Sequence, residues 1–301
     1  MPKLPLHHLN RFKALPHSTK RNLIGITGLL LFSILIFLWH YFSTHITTEN
    51  AYVNANAVRI AAQVSGPVLN LFVDNNQGVT AGQPLFEIDP TPFIAAVDEA
   101  NAQILQNKAK LKNALINLER VEKLVAQKFL SPESKDNAVT AVDVASADLK
   151  YSEAKLVEAQ LNLGYTKVNA PVTGILSNLT IRPGTAVTAQ IPLFVLISTE
   201  QFWVDANYKE TELADIHPKQ TARIVLDLYP DHTFTGIIDS ISASSGTAFS
   251  LLPPQNATGN WVKVTQRIPV KVIIQNPDPR YPLRVGATAT VTINTASSTE
   301  N

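Results

Sequence analysis

The chain contains no cysteine, which excludes disulfides, thiol catalysis, cysteine-ligated metals and a lipid-modified N-terminal cysteine. Methionine occurs once, at Met1, so the sequence offers no soft metal site built on thioethers. The seven histidines (His7, His8, His17, His40, His45, His217 and His232) form no HExxH pattern and no ligand spacing apart from the His7–His8 pair. There is no P-loop, no GxSxG and no dinucleotide fingerprint. Asp227, Asp231 and His232 lie close together, but YPDH reads as a turn. An excess of one charge is missing too: 25 Lys+Arg face 24 Asp+Glu, and no basic patch is interleaved with aromatics, which sets nucleic acid aside. The expectation is a non-enzymatic protein without cofactor or metal.

What is present begins with the apolar run 22–42, NLIGITGLLLFSILIFLWHYF. With its Trp39 and Tyr41 shoulder it reaches the roughly 20 residues that cross a bilayer core, and those two aromatics suit the interface. Arg11, Lys13, Lys20 and Arg21 precede the run, whereas no Lys or Arg follows it before Arg59. The positive-inside bias then keeps the tail 1–21 in the cytoplasm and sends the rest across. A cleaved signal is the alternative, but the run exceeds a typical signal core and STHITTEN offers no small-x-small cleavage site.

Beyond the run the chain writes one unit twice. Residues 63–89, QVSGPVLNLFVDNNQGVTAGQPLFEID, return 108 positions later as PVTGILSNLTIRPGTAVTAQIPLFVLI, with 10 of 27 positions identical. Val64, Val68, Leu71, Val73, Val79, Leu85, Phe86 and Ile88 form the apolar set of the first copy, and Gly66, Gly78 and Gly82 read as turn-like points. So small a unit buries only one face of a sheet, so the two copies are expected to close on each other.

Between the copies lie 81 residues, Pro90 to Ala170, of helical character. Val97, Ile104, Leu111, Leu118 and Val125 recur every seven residues, with Ala100, Asn107, Ala114 and Val121 three positions after the first four. On the far side Val142, Leu149, Leu156 and Leu163 repeat the spacing, followed by Ala145, Ser152 and Ala159. That pattern predicts two close-packed antiparallel helices, broken at KFLSPES by Pro132. Residues 201–293 alternate as short strands between turn signals such as HPKQ and NPDPRYP, which predicts an antiparallel barrel or sandwich, and AYVNANAVRI (51–60) reads as a further strand.

Anchor, split lipoyl-like halves and coiled-coil insert together resemble the periplasmic adaptor, or membrane fusion, proteins of the HlyD superfamily. WVDANYKETEL (203–213) and GTAFSLLPPQNATGNWVKVTQRIPVKV (246–272) are similar to the EmrA branch, which works with major-facilitator drug exporters. Adaptors that dock TolC-type outer-membrane channels carry Arg, Leu and Ser at a fixed tip spacing, which Arg120, Leu124 and Ser131 meet here. Arg supplies a forked cation, Leu an apolar knob and Ser a small hydrogen-bonding contact. Phe249, Leu251 and Leu252 form an apolar loop that either tucks onto the barrel or touches a pump or neighbouring protomer. A swinging-arm lipoyl carrier is rejected, because neither repeat contains a lysine.

The resulting expectation is a mainly β protein with a long helical hairpin. Its organisation would be tail 1–21, transmembrane helix 22–42, membrane-proximal strand region 43–60, lipoyl-like half 61–90, coiled-coil hairpin 91–167, second half 168–198, β-barrel 199–295 and tail 296–301. The resemblance implies a single-pass protein of the Gram-negative inner membrane, its main portion periplasmic, that forms homo-oligomers. It would join a major-facilitator exporter to a TolC-type channel for export of drugs or toxic small molecules. An adaptor for an ABC-type or aromatic-acid exporter and a non-transport envelope tether are the alternatives.

Overall fold

The computed structural model describes residues 44–245 and 265–295, with six scattered positions between 29 and 36. Most of the expected span 22–42, both expected tails and the loop bearing Phe249, Leu251 and Leu252 lie outside the described residues. Among the described residues no helix is long and apolar enough to cross a membrane. The chain divides into two compact units, one running from Ala55 to Glu200 and the other holding the residues on either side.

In the unit from Ala55 to Glu200 the first repeat forms β2 (Gly66–Leu71), β3 (Gly78–Val79) and β4 (Pro84–Ile88). The second forms β6 (Gly174–Ser177), β7 (Ala186–Val187) and the start of β8 (Pro192–Lys209). A short β5 (Lys167–Asn169) pairs with β4. Each copy keeps its own hairpin: Val68 pairs with Ile88 in one and Leu176 with Leu196 in the other. The copies then trade their short strands. Gly66 faces Val187 on β7, and Gly174 faces Val79 on β3. Loop contacts follow the same two-fold exchange, since the Ala81 N–H donates to Thr173 Oγ1 and the Ala189 N–H donates to Ser65 Oγ.

One core results. Val68, Val79, Phe86 and Ile88 are buried beside their counterparts Leu176, Val187, Phe194 and Leu196, and Phe86 meets Phe194 edge to face at 6.0 Å between ring centres. The glycines divide by role. Gly82 is left-handed at φ 82°, the conformation that Gln190 adopts at φ 66° in the second copy. Gly66 and Gly78 instead sit within strands, a correction to their reading as turn points. A Cβ at Gly66 would meet Ile88 Cγ2 at 2.7 Å, and one at Gly174 would meet the Ile197 carbonyl oxygen at 2.2 Å; close strand approach demands glycine at both.

From this base rises the helical insert, α1 (Thr91–Ala126) and α2 (Pro132–Gly164). At 1.5 Å per residue the 36 residues of α1 extend about 54 Å. The heptad positions face the seam as the spacing predicts: Ile104 and Asn107 of α1 and Ala138, Ala145 and Ser152 of α2 are buried. Two of these are polar and both are satisfied. Asn107 Nδ2 donates to the Asp148 carbonyl at 3.1 Å across the seam, and Ser152 Oγ donates to the Leu149 carbonyl at 2.7 Å. A single polar pair of this kind in a narrow apolar seam fixes register.

The other unit is a barrel. The leading part of β1 (His45–Ala61), then β12 (Thr288–Asn294), β9 (Thr221–Leu226), β10 (Tyr229–Ile241), β11 (Arg267–Ile274) and the trailing part of β8 pair in that order, and β8 closes onto β1. Alternation along each strand points Val204, Ala206, Tyr208, Ile224, Phe234, Val272, Val291 and Ile293 inward, all at 2 % exposure or less. Tyr208 donates its hydroxyl to the Val291 carbonyl at 2.9 Å. Burial, with Glu212 adding to it, pushes the Tyr208 phenol above its ordinary value.

Two outcomes follow. Gly174→Val, which drives side-chain atoms into the Ile197 carbonyl, is expected to cost about 1–3 kcal/mol. Gly78→Ala, where nothing lies within 4 Å, should stay within about 0.5 kcal/mol; denaturant unfolding of both variants checks the contrast. Because the Tyr208 phenol is raised in the folded state, its contribution is intact below the unfolded tyrosine value of about 10 and fades as pH climbs above it. Tyr208→Phe should therefore lose about 1 kcal/mol at neutral pH yet show a shallower alkaline fall in melting temperature than the wild type.

Candidate functional site: the tip of the helical hairpin

The free end of the insert is shaped by how α1 stops. The Lys128 N–H donates to the Val125 carbonyl and the Phe129 N–H reaches back to the Leu124 carbonyl, both at 2.9 Å, with Lys128 left-handed at φ 63°. This pair of bonds is a Schellman motif with lysine where glycine is usual. Leu124 is half-buried, and its carbonyl anchors the turn. Ser131 then opens α2 in extended conformation, with Pro132 in the first turn and the Ser131 and Ser134 hydroxyls 3.1 Å apart.

The structure places Arg120, Leu124 and Ser131 on the last turns of α1 and the first position before α2. Arg120 and Ser131 are exposed. Neighbouring charges are taken up locally: Lys135 bridges to Glu122 between the helices at 3.0 Å, and Lys123 bonds Glu119 at 2.7 Å. The Lys123 hydrogen bond, helped by its charge, lowers the Glu119 carboxyl below the usual range. Arg120 enters none of these pairs and makes no ion pair among the described residues. Its guanidinium is left to the solvent, on the side away from the seam.

Sequence reasoning passed over two residues here. Phe129 and Leu130 are 75 % and 39 % exposed, and they stand on the turn between Leu124 and Ser131. An apolar pair before a proline break reads as the end of a helix; only the Schellman geometry shows that the turn throws Phe129 outward. Chemically the tip offers one free guanidinium, an exposed aromatic ring and small hydroxyls, a set suited to binding a protein surface. Among the described residues no three metal-ligating side chains gather anywhere.

Residues 56–199 match the RND MFP barrel-sandwich hybrid domain, and residues 201–294 match the AAEA-like beta-barrel domain. The chain is 31 % identical to the multidrug export protein EmrA of Haemophilus influenzae, over 90 % of this chain and 84 % of that one. It is 32 % identical to the fatty acid resistance protein FarA of Neisseria gonorrhoeae, over 83 % of this chain and 76 % of the relative. Among solved structures, MacA from Actinobacillus actinomycetemcomitans shares the fold with a TM-score of 0.62, at 24 % identity over 83 % of this chain and 79 % of that one. Two matched domains and near full-length likeness lead to one conclusion: the chain belongs to the membrane fusion, or periplasmic adaptor, proteins of the HlyD superfamily, in their EmrA-like multidrug efflux branch.

Proposed function

We propose that this chain is the adaptor subunit of a tripartite efflux system, joining an inner-membrane exporter of major-facilitator type to a TolC-type outer-membrane channel. It would stand in the Gram-negative envelope, single-pass, with the cytoplasmic tail 1–21, the span 22–42 and the main portion in the periplasm. Several copies would assemble side by side, with the loop carrying Phe249, Leu251 and Leu252 against the pump or a neighbour. Relatives named for multidrug export and for fatty acid resistance support a cargo of amphipathic, toxic small molecules.

The observation that carries this reading is the hairpin itself. A helix pair about 54 Å long rises from an interlocked two-copy base and ends in the exposed Arg120 and Phe129. The barrel supports the same role, because Tyr208, Phe234 and the other inward residues pack its interior at 2 % exposure or less. A protein built this way bridges and positions; the gradient-driven work falls to its exporter.

Docking at the tip would use Arg120 as the forked cation, Leu124 as the apolar knob and Ser131 as the hydroxyl, and the exposure of Phe129 beside them supports its inclusion. Arg120→Asp and Phe129→Asp are each expected to abolish drug resistance in a strain lacking the wild-type gene, at unchanged expression and membrane content. Capture of the channel by the purified full-length variant should weaken about tenfold or more, as loss of an interface anchor does. Wild-type resistance with undiminished capture in both variants would remove the docking assignment.

A further inference from the structure

The outward face of the barrel carries a groove of about 430 Å³ across β1, β12, β9 and β10. Strand register builds its floor as a single row: Thr47 faces Thr292, Thr292 faces Arg223, and Arg223 faces Thr235. At about 5 Å between strands the row spans roughly 15 Å. Thr47 and Thr292 hydroxyls touch at 3.0 Å, while His45 and Asn294, paired with each other, close one end.

Charge in the groove has one sign. Arg223 is exposed and, among the described residues, enters no ion pair, and no Asp or Glu lines the groove. Glu49, the next carboxylate along β1, lies outside the groove in an adjoining hollow that shares Thr47 with it and holds Lys209, Glu212 and Arg267. A guanidinium ringed by hydroxyls, without a competing carboxylate, matches a phosphodiester, which accepts forked hydrogen bonds from Arg and single ones from Thr.

Position names the source of that phosphate. The β1–β12 ladder is zipped to its very end, where the Thr295 N–H and hydroxyl both donate to the Thr44 carbonyl at 2.9 and 3.0 Å. Thr44 stands two residues beyond Phe42, the last residue of the apolar run, and two residues reach at most about 7 Å. If 22–42 is the anchor, the groove lies at the end of the barrel nearest the bilayer. We propose that it binds the headgroup phosphate of an anionic phospholipid in the leaflet from which β1 emerges, seating the barrel on the membrane surface. This rests on the reading of 22–42 as the anchor.

Native mass spectrometry of the full-length chain, released from nanodiscs containing phosphatidylglycerol and phosphatidylcholine, tests it. The wild type should retain phosphatidylglycerol preferentially; Arg223→Gln should weaken that retention about tenfold, the weight of one charge-assisted contact, and Arg223→Lys should fall between. Melting of each variant shows that the barrel is intact, which an outward substitution leaves unchanged. Equal retention in wild type and Arg223→Gln would overturn the proposal, as would a variant that keeps its lipid but no longer co-purifies with its exporter, since the groove would then belong to a protein partner. Carbonate washing of membranes separates the two readings: a chain that washes off sinks the anchor and the headgroup site together, whereas a chain that stays while Arg223→Gln behaves as wild type sinks the headgroup site alone.

Discussion

Everything in the unit from Ala55 to Glu200 depends on a trade of two short strands. Each repeat supplies a hairpin that is open on one side, and each closes the other: β7 completes β2, and β3 completes β6. Neither copy has enough apolar surface to stand alone. Together they bury Phe86 against Phe194 and set the other matched pairs in one core. The exchange requires both glycines of close approach, Gly66 and Gly174, because a methyl group at either would push the strands apart. It also explains where the helices are inserted. A segment that leaves after β4 and returns at β5 starts and ends on two paired strands, so its two feet are held at strand spacing.

That footing lets a helix pair with a thin seam project far from its base. The seam buries few residues, and its register rests on Asn107 reaching the Asp148 carbonyl as well as on apolar fit. The turn at the far end is held by backbone bonds, which frees the side chains of Arg120 and Phe129 from structural duty. Support and contact are thus assigned to different atoms of the same few residues. Leu124 shows this most clearly, since its carbonyl fixes the turn while its side chain stays only half-buried.

Much of this was legible in the sequence because it is written in periods. The 108-residue shift announced the paired halves, and the seven-residue spacing placed Ile104, Asn107, Ala145 and Ser152 in the seam. The exchange of β3 and β7 was not legible, since pairing partners leave no local mark in strands of two residues. Glycine was ambiguous for the same reason: Gly66, Gly78 and Gly82 look alike as letters but serve close approach, neither constraint, and a left-handed turn. At the tip, Arg120 was named by resemblance to channel-docking adaptors, whereas Phe129 became visible only through the positive φ of Lys128, which no lysine advertises.

The packed interior of the barrel has a further consequence. A solid peg cannot be tuned as a pipe, so substitutions among its inward residues change stiffness and open no calibre of their own. Tyr208, Phe234 and Val291 are packed at 2 % exposure or less, so a change at any of them acts on the firmness of the fold before it acts on anything the surface does.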